Sequence, residues 1–146
     1  MYQLSIAALV FATLFAGAAL YISLVEHPAR LRLADGPLLA QWRPSYKRAL
    51  PIQSGLAVAG GGAGLVVGYL TADSRWIVGS ILLLANWPFT LVVIMPVNRR
   101  LMAMQECEAG AGSRAMLVEW GKLHNVRSVL GAATTLLFAW GVAGTG

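Results

Sequence analysis

The sequence predicts an all-α fold, a polytopic membrane four-helix bundle, and three observations carry that reading. The chain of 146 residues is 58% hydrophobic and 12% charged, about half the charge of a soluble domain. Its mean hydropathy is +0.67. The charges are also confined, because Asp, Glu, Lys and Arg are absent from residues 1–25, 49–72, 76–98 and 128–146. Crossing a hydrocarbon core of about 30 Å takes about 20 helical residues, which three of the runs supply. The fourth run is shorter, and its helix is completed by beginning upstream, near Arg114. A single transmembrane domain over residues 1–146 follows, with spans expected near 4–25, 50–71, 76–97 and 126–144.

The first run contains Ala16-Gly17-Ala18, which resembles a signal-peptide cleavage site, but no Lys or Arg precedes the apolar stretch. It is expected to be a mature helix. Ala8, Ala12 and Ala16 form a stripe of small residues along it. The second run carries Gly60, Gly64 and Gly68, a tandem GxxxG, and the fourth carries Gly131, Thr135, Ala139 and Ala143. Small residues let helices approach closely in lipid, where the hydrophobic effect does little to join them. Packing within the bundle is the simpler use of these stripes, and a homo-oligomer face the other. In the third run, Pro88 follows Asn86-Trp87 near mid-span and should kink the helix. An amide at that depth needs a partner, so Asn86 either satisfies the broken turn or reaches into a ligand cavity.

Orientation follows from the basic residues. Five lie between Glu26 and Arg48, five between Arg99 and Arg127, and Arg75 alone in the short turn. The positive-inside rule places the two long loops in the cytoplasm and both termini outside, in the cell (inner) membrane. The net charge of +5 therefore reports membrane topology, with the lipid bilayer as partner and no nucleic acid. Cys107 is the only cysteine, which excludes an intrachain disulfide, a thiolate zinc site and a CxxC redox pair. The charge-free runs lack the embedded carboxylate that a proton-coupled drug exporter needs.

The side chains capable of chemistry all fall at the cytoplasmic face. Glu26-His27-Pro28-Ala29-Arg30 ends span one, and Glu26 and Arg30 share a face if the helix continues past Pro28. Trp42 and Tyr46 stand at i,i+4 before span two. Pro96-Val97-Asn98-Arg99-Arg100-Leu101 follows span three. Before span four, Trp120, His124 and Arg127 follow i, i+4, i+7, which puts an indole, an imidazole and a guanidinium in one line. Interfacial Trp and Tyr are ordinary belt residues, and Arg there ordinarily snorkels to headgroups. Convergence of four segments on one face favours more: a polar cluster under an apolar bundle suits an amphipathic small molecule arriving from the lipid. Glu26, His27 and His124 offer a two-His-one-carboxylate metal set, but adjacent residues point about 100° apart on a helix. Haem between His27 and His124, or a quinone-binding redox subunit, is the further alternative, as is a non-enzymatic interaction or assembly role.

Taken together, Glu26-His27-Pro28, Trp42 with Tyr46, Pro96-x-Asn98-Arg99-x-Leu101 and Trp120-x-x-x-His124-x-x-Arg127 resemble the anthrone oxygenase-like family of small four-helix membrane proteins. The resemblance implies oxidation of a tricyclic anthrone to an anthraquinone by O₂, with no metal or flavin cofactor. It implies His124 as the leading base, with His27 as the other candidate and Glu26 as an orienting carboxylate. Arg127, Arg99 or Arg30 would stabilise an enolate oxygen or superoxide. Trp42, Tyr46 and Trp120 would stack on a flat substrate, and Asn98 would donate to a substrate carbonyl.

Overall fold

The computed structural model describes residues 1–144, and four long helices account for nearly all of them. These are α1 (Tyr2–Arg30), α2 (Asp35–Thr71), α3 (Ser74–Ala103) and α4 (Ala111–Ala143), each long and apolar enough to cross a membrane. Each helix packs along the next, and α4 returns against α1, so the four stand in chain order around a square. Among the described residues there is no strand.

The helices outrun the charge-free segments. α2 begins at Asp35, well before the apolar run, because Leu38, Leu39 and Trp42 recur at helical spacing and are all fully buried. What charge alone marks as a loop is therefore largely amphipathic helix. In α1 the helix does continue past Pro28. A π-helical turn at Ile22–Glu26 precedes the proline, with the His27 N–H bonded to the Ile22 carbonyl. α3 repeats the device: a π-turn at Thr90–Ile94, with Met95 N–H bonded to Thr90, comes just before Pro96. Widening the turn moves the carbonyl that the proline ring would otherwise strike, so the helix survives a residue that ordinarily breaks it.

Small residues set the packing inside the bundle. Ala8, Ala12 and Ala16 face inward, and a Cβ on Gly60 would meet Phe11 and the Ala12 backbone at 3.1–3.2 Å. Gly64 and Gly79 clasp the Phe138 ring, where added Cβ atoms would come within 2.4 and 2.7 Å. On α4 the buried stripe is Gly131, Thr134, Phe138 and Gly141, whereas Ala139 and Ala143 are exposed. The four-residue stripe read from sequence drifts off the interface because a straight helix repeats every 3.6 residues.

Arginines close both ends. Arg114 of α4 pairs with Asp35 at 2.5 Å and donates to the Leu31 and Leu33 carbonyls in the turn that follows α1. At the far end Arg75 pairs with Asp73, which also caps α3, and donates to the Trp140 carbonyl at 3.0 Å. Hydrogen bonding to Arg75 holds the Asp73 carboxyl below its ordinary range. Two apolar clusters lie between these closures. One holds Ala12, Phe15, Val67, Trp76 and Phe138, the other Ile22, Leu38, Trp42, Ile94 and Trp120. Buried Gln53, Asn86 and Arg127 fall between the two clusters on α2, α3 and α4.

Candidate functional site

The polar layer is built around α4. Trp120, His124 and Arg127 share one inward line and are 5, 2 and 7% exposed. The Trp120 and His124 rings stack at 4.9 Å, and Trp42 meets Trp120 edge-on at 5.7 Å. On α2, one turn apart, Trp42 and Tyr46 are parallel to within 2° at 4.9 Å. Three aromatic side chains and an imidazole thus form a continuous wall. Opposite it on α3, the Asn98 amide faces the Tyr46 hydroxyl, although neither amide atom completes a well-formed hydrogen bond.

His124 is held by side chains that neighbour one another only in space. Its Nδ1 lies 3.1 Å from Ser23 Oγ in the α1 π-turn, and Ser23 Oγ lies 2.7 Å from Ser128 Oγ. Ser128 donates on to the His124 carbonyl at 3.4 Å. A π-turn rotates the residues that follow it relative to a regular helix, and Ser23 sits inside that turn. The His124 ring itself lines a hollow in the bundle.

That hollow is bounded by Arg30, Trp42, Tyr46, Asn98, Trp120, His124 and Arg127. Its interior space is about 20 Å³, enough for about one water. Past Gln53 and Arg127 it adjoins a roomier cavity of about 140 Å³, walled also by Asn86, Trp87, Thr90 and Leu91. Arg127 lines both. Its guanidinium lies 5.6 Å over the Phe15 ring, and among the described residues no carboxylate is within ion-pairing distance. A cation taken out of water with no anion is a costly arrangement, and proteins keep it where a ligand supplies the missing charge.

Arg30 is different. It bonds Glu26 and Gln41, and donates to Ser45 at 3.1 Å, while Ser45 donates to Glu26 at 2.7 Å. Glu26 therefore engages Arg30 rather than an imidazole. His27 lies behind Trp120, ring centroids 5.1 Å apart, against Gly121 and outside the residues bounding the hollow. Glu26, His27 and His124 face three different sets of neighbours, so they form no common ligand set. Arg99 is exposed, and Asn86 lines the second cavity while its amide donates to the Leu83 carbonyl at 2.9 Å.

Ser23, Ser45, Gln53 and Ser128 are the residues that sequence reasoning passed over. Ser128 was readable, four residues after His124 on the same face. Ser23 and Gln53 carry no local signal, since single uncharged polar residues are common in membrane helices.

A protein-family model described as anthrone oxygenase matches residues 42–137. That segment contains Trp42, Tyr46, Asn98, Trp120, His124 and Arg127, but not α1 with Ser23, Glu26 and His27. No curated protein and no solved structure matches the chain.

Proposed function

The chain belongs to the anthrone oxygenase family of membrane proteins, and from that premise we propose that it oxidises a flat, electron-rich aromatic methylene with O₂. His124 is the base and Arg127 the group that holds the resulting anion. The observation that carries the assignment is the hydrogen-bonded chain behind His124. In the direction we propose, Ser128 gives its proton to the His124 carbonyl, Ser23 gives its own to Ser128, and His124 Nδ1–H donates to Ser23. In that direction every donor is used once, and Nε2 keeps its lone pair.

The reaction then balances without a further reactant. His124 Nε2 takes a proton from the activated CH₂, and the carbanion delocalises onto the ring oxygen as a phenolate-like anion beside Arg127. The anion passes one electron to O₂. The substrate radical and superoxide combine through a new C–O bond, and the protonated peroxide loses water to leave the C=O of a quinone. The sum is one CH₂ and one O₂ giving one C=O and one H₂O. Trp42, Tyr46 and Trp120 supply a face for a flat ring, and Asn98 a donor for its carbonyl. Arg30 is already neutralised by Glu26, and exposed Arg99 serves the headgroup region. His27 braces Trp120 from behind.

The substrate is an amphipathic aromatic molecule dissolved in the lipid, and the reaction uses no metal or flavin. The site end of the bundle, with ten of the eleven basic residues, lies on the cytoplasmic side of the cell membrane. Turnover of anthrone by purified protein, followed by quinone absorbance, tests the proposal. His124→Ala is expected to abolish it and His27→Ala to weaken it. Undiminished turnover by His124→Ala would falsify the base assignment, and stoichiometric iron or copper in active protein would end the cofactor-free chemistry.

A further inference from the structure

The cations at the site end of the bundle are unevenly matched with anions. Among the described residues the ion pairs are Glu26–Arg30, Asp35–Arg114, Asp73–Arg75 and Glu119–Lys122. Arg43, Lys47, Arg48, Arg99 and Arg100 have no carboxylate within ion-pairing distance. The other two carboxylates, Glu106 and Glu108, lie in a turn that packs on α2, and Glu108 accepts from the Gln105 backbone N–H instead.

Three of these cations gather along one seam. Arg43 of α2 donates to the Leu101 carbonyl of α3 at 3.3 and 3.4 Å, and the Tyr46 hydroxyl donates to Met95 Sδ at 3.8 Å. These turns of two antiparallel helices therefore lie side by side. Lys47 is one turn from Arg43 on the same face, and Arg99 one turn from Met95; both are exposed. The positive-inside rule asks only that cations lie at this end of the bundle. It does not ask that three of them line the junction of two helices.

Beneath them the seam opens, because α2 and α3 pack closely only as far as Leu84. The cavity of about 140 Å³ occupies the gap, lined toward the cations by Leu50, Leu91 and Met95. Lys47 precedes Leu50 by three residues and Arg99 follows Met95 by four, so each stands one turn, about 5 Å, above the rim. Half-exposed Trp87 and Leu91 leave the outer side to the bilayer. The polar atoms Asn86 Oδ1, Thr90 Oγ1 and Arg127 Nε have almost no accessible surface, so they offer a ligand nothing. A largely apolar slot, open to lipid and headed by unpaired cations, has the outline of a phospholipid.

We infer that the α2–α3 seam binds one anionic phospholipid of the leaflet at the site end, its phosphate held by Arg43, Lys47 and Arg99 and one acyl chain seated in the cavity. A zwitterionic lipid brings a cation of its own to a place already crowded with them, so the seam selects headgroups of net negative charge. The seated chain closes the lipid side of the cavity that Arg127 lines. The inference concerns binding and stands whether or not His124 performs chemistry.

The test uses full-length Trp140→Phe protein, which lacks the exposed indole at the other end, in phosphatidylcholine nanodiscs. Phosphatidylglycerol or phosphatidylcholine dibrominated at mid-chain is added at increasing mole fraction, and bromine quenches indoles on contact. Trp87 is at the right depth: it donates to the Ser54 carbonyl, and Ser54 is seven residues, about 10 Å, beyond Lys47. Brominated phosphatidylglycerol is expected to reach half-quenching at a mole fraction at least about tenfold lower, since each basic residue near the surface contributes about fivefold. Lys47→Gln with Arg99→Gln should bring the two lipids within about threefold. Arg32→Gln with Lys122→Gln removes equal charge away from the seam and should leave the preference intact. Trp87→Phe should remove most of the quenching. Equal quenching by the two lipids overturns the inference, as does a preference that survives Lys47→Gln with Arg99→Gln. An equal loss in the Arg32 and Lys122 pair reduces the effect to the general field of that face and overturns the site. Undiminished quenching in Trp87→Phe overturns the seating of the chain in the cavity.

Discussion

Ser23 and His124 are 101 residues apart in the chain and 3.1 Å apart at Oγ and Nδ1. The contact exists because α1 takes a π-turn at Ile22–Glu26, placing a serine against the imidazole on α4. Ser23 touches no substrate in the proposed reaction and is a positioning residue. Ser23→Ala should lower kcat about tenfold with KM little changed, because the imidazole loses its orientation and preferred tautomer. Ser23→Thr should restore part of the rate, whereas a purely structural serine would show its loss in thermal stability instead. Steady-state kinetics beside a melting curve separates the two.

Gly121 makes room for His27. A Cβ there would lie 2.6 Å from both Cδ2 and Nε2 of the ring, which Trp120 prevents from retreating. Gly121→Ala should destabilise the protein by about 1–3 kcal/mol through overpacking. Gly112→Ala, with nothing within 4 Å of the added atom, should change stability by less than about 0.5 kcal/mol. Thermal unfolding in detergent measures both. Equal effects would mean that the close approach of α1 and α4 at His27 does not constrain the fold.

Arg127 should show function and stability pulling in opposite directions. Its charge is buried without a carboxylate, so Arg127→Met removes an uncompensated cation while keeping much of the side-chain length. The melting midpoint is expected to hold or rise, while turnover falls by about a hundredfold or more. A midpoint lowered by several degrees with turnover retained would make Arg127 a structural residue.

Ala72 ends α2 with φ of 54°, the only positive φ outside glycine among the described residues. A left-handed cap is where glycine carries no Cβ penalty. Ala72→Gly should stabilise the protein by about 1 kcal/mol, seen as a raised unfolding midpoint with unchanged activity. No gain would mean that the turn relaxes to another conformation in the bilayer.

Much of this was legible along the chain. The absence of charge from four runs required four apolar helices, since a backbone in hydrocarbon must satisfy its own hydrogen bonds. The i, i+4, i+7 spacing of Trp120, His124 and Arg127 required a shared face, and Trp42 and Tyr46 had to stack once helical. Glu26 and Arg30 were readable as a pair from their spacing, although Pro28 made the helix between them conditional. These are relations within one helix, where residue number converts directly into angle and rise.

Relations between helices were not legible. That His124 is held by Ser23 and His27 set behind Trp120, that Arg30 is neutralised while Arg127 is not, and that α2 and α3 pack closely only as far as Leu84, all depend on rotation and depth of separate helices. Periodicity is blind to these quantities, and the two π-turns shift them again by a fraction of a turn. Sequence alone determined a four-helix membrane bundle with its polar residues gathered at one end. Only tertiary packing decided which imidazole faces the hollow and which guanidinium is left without an anion, because both depend on close contact between side chains far apart in the chain.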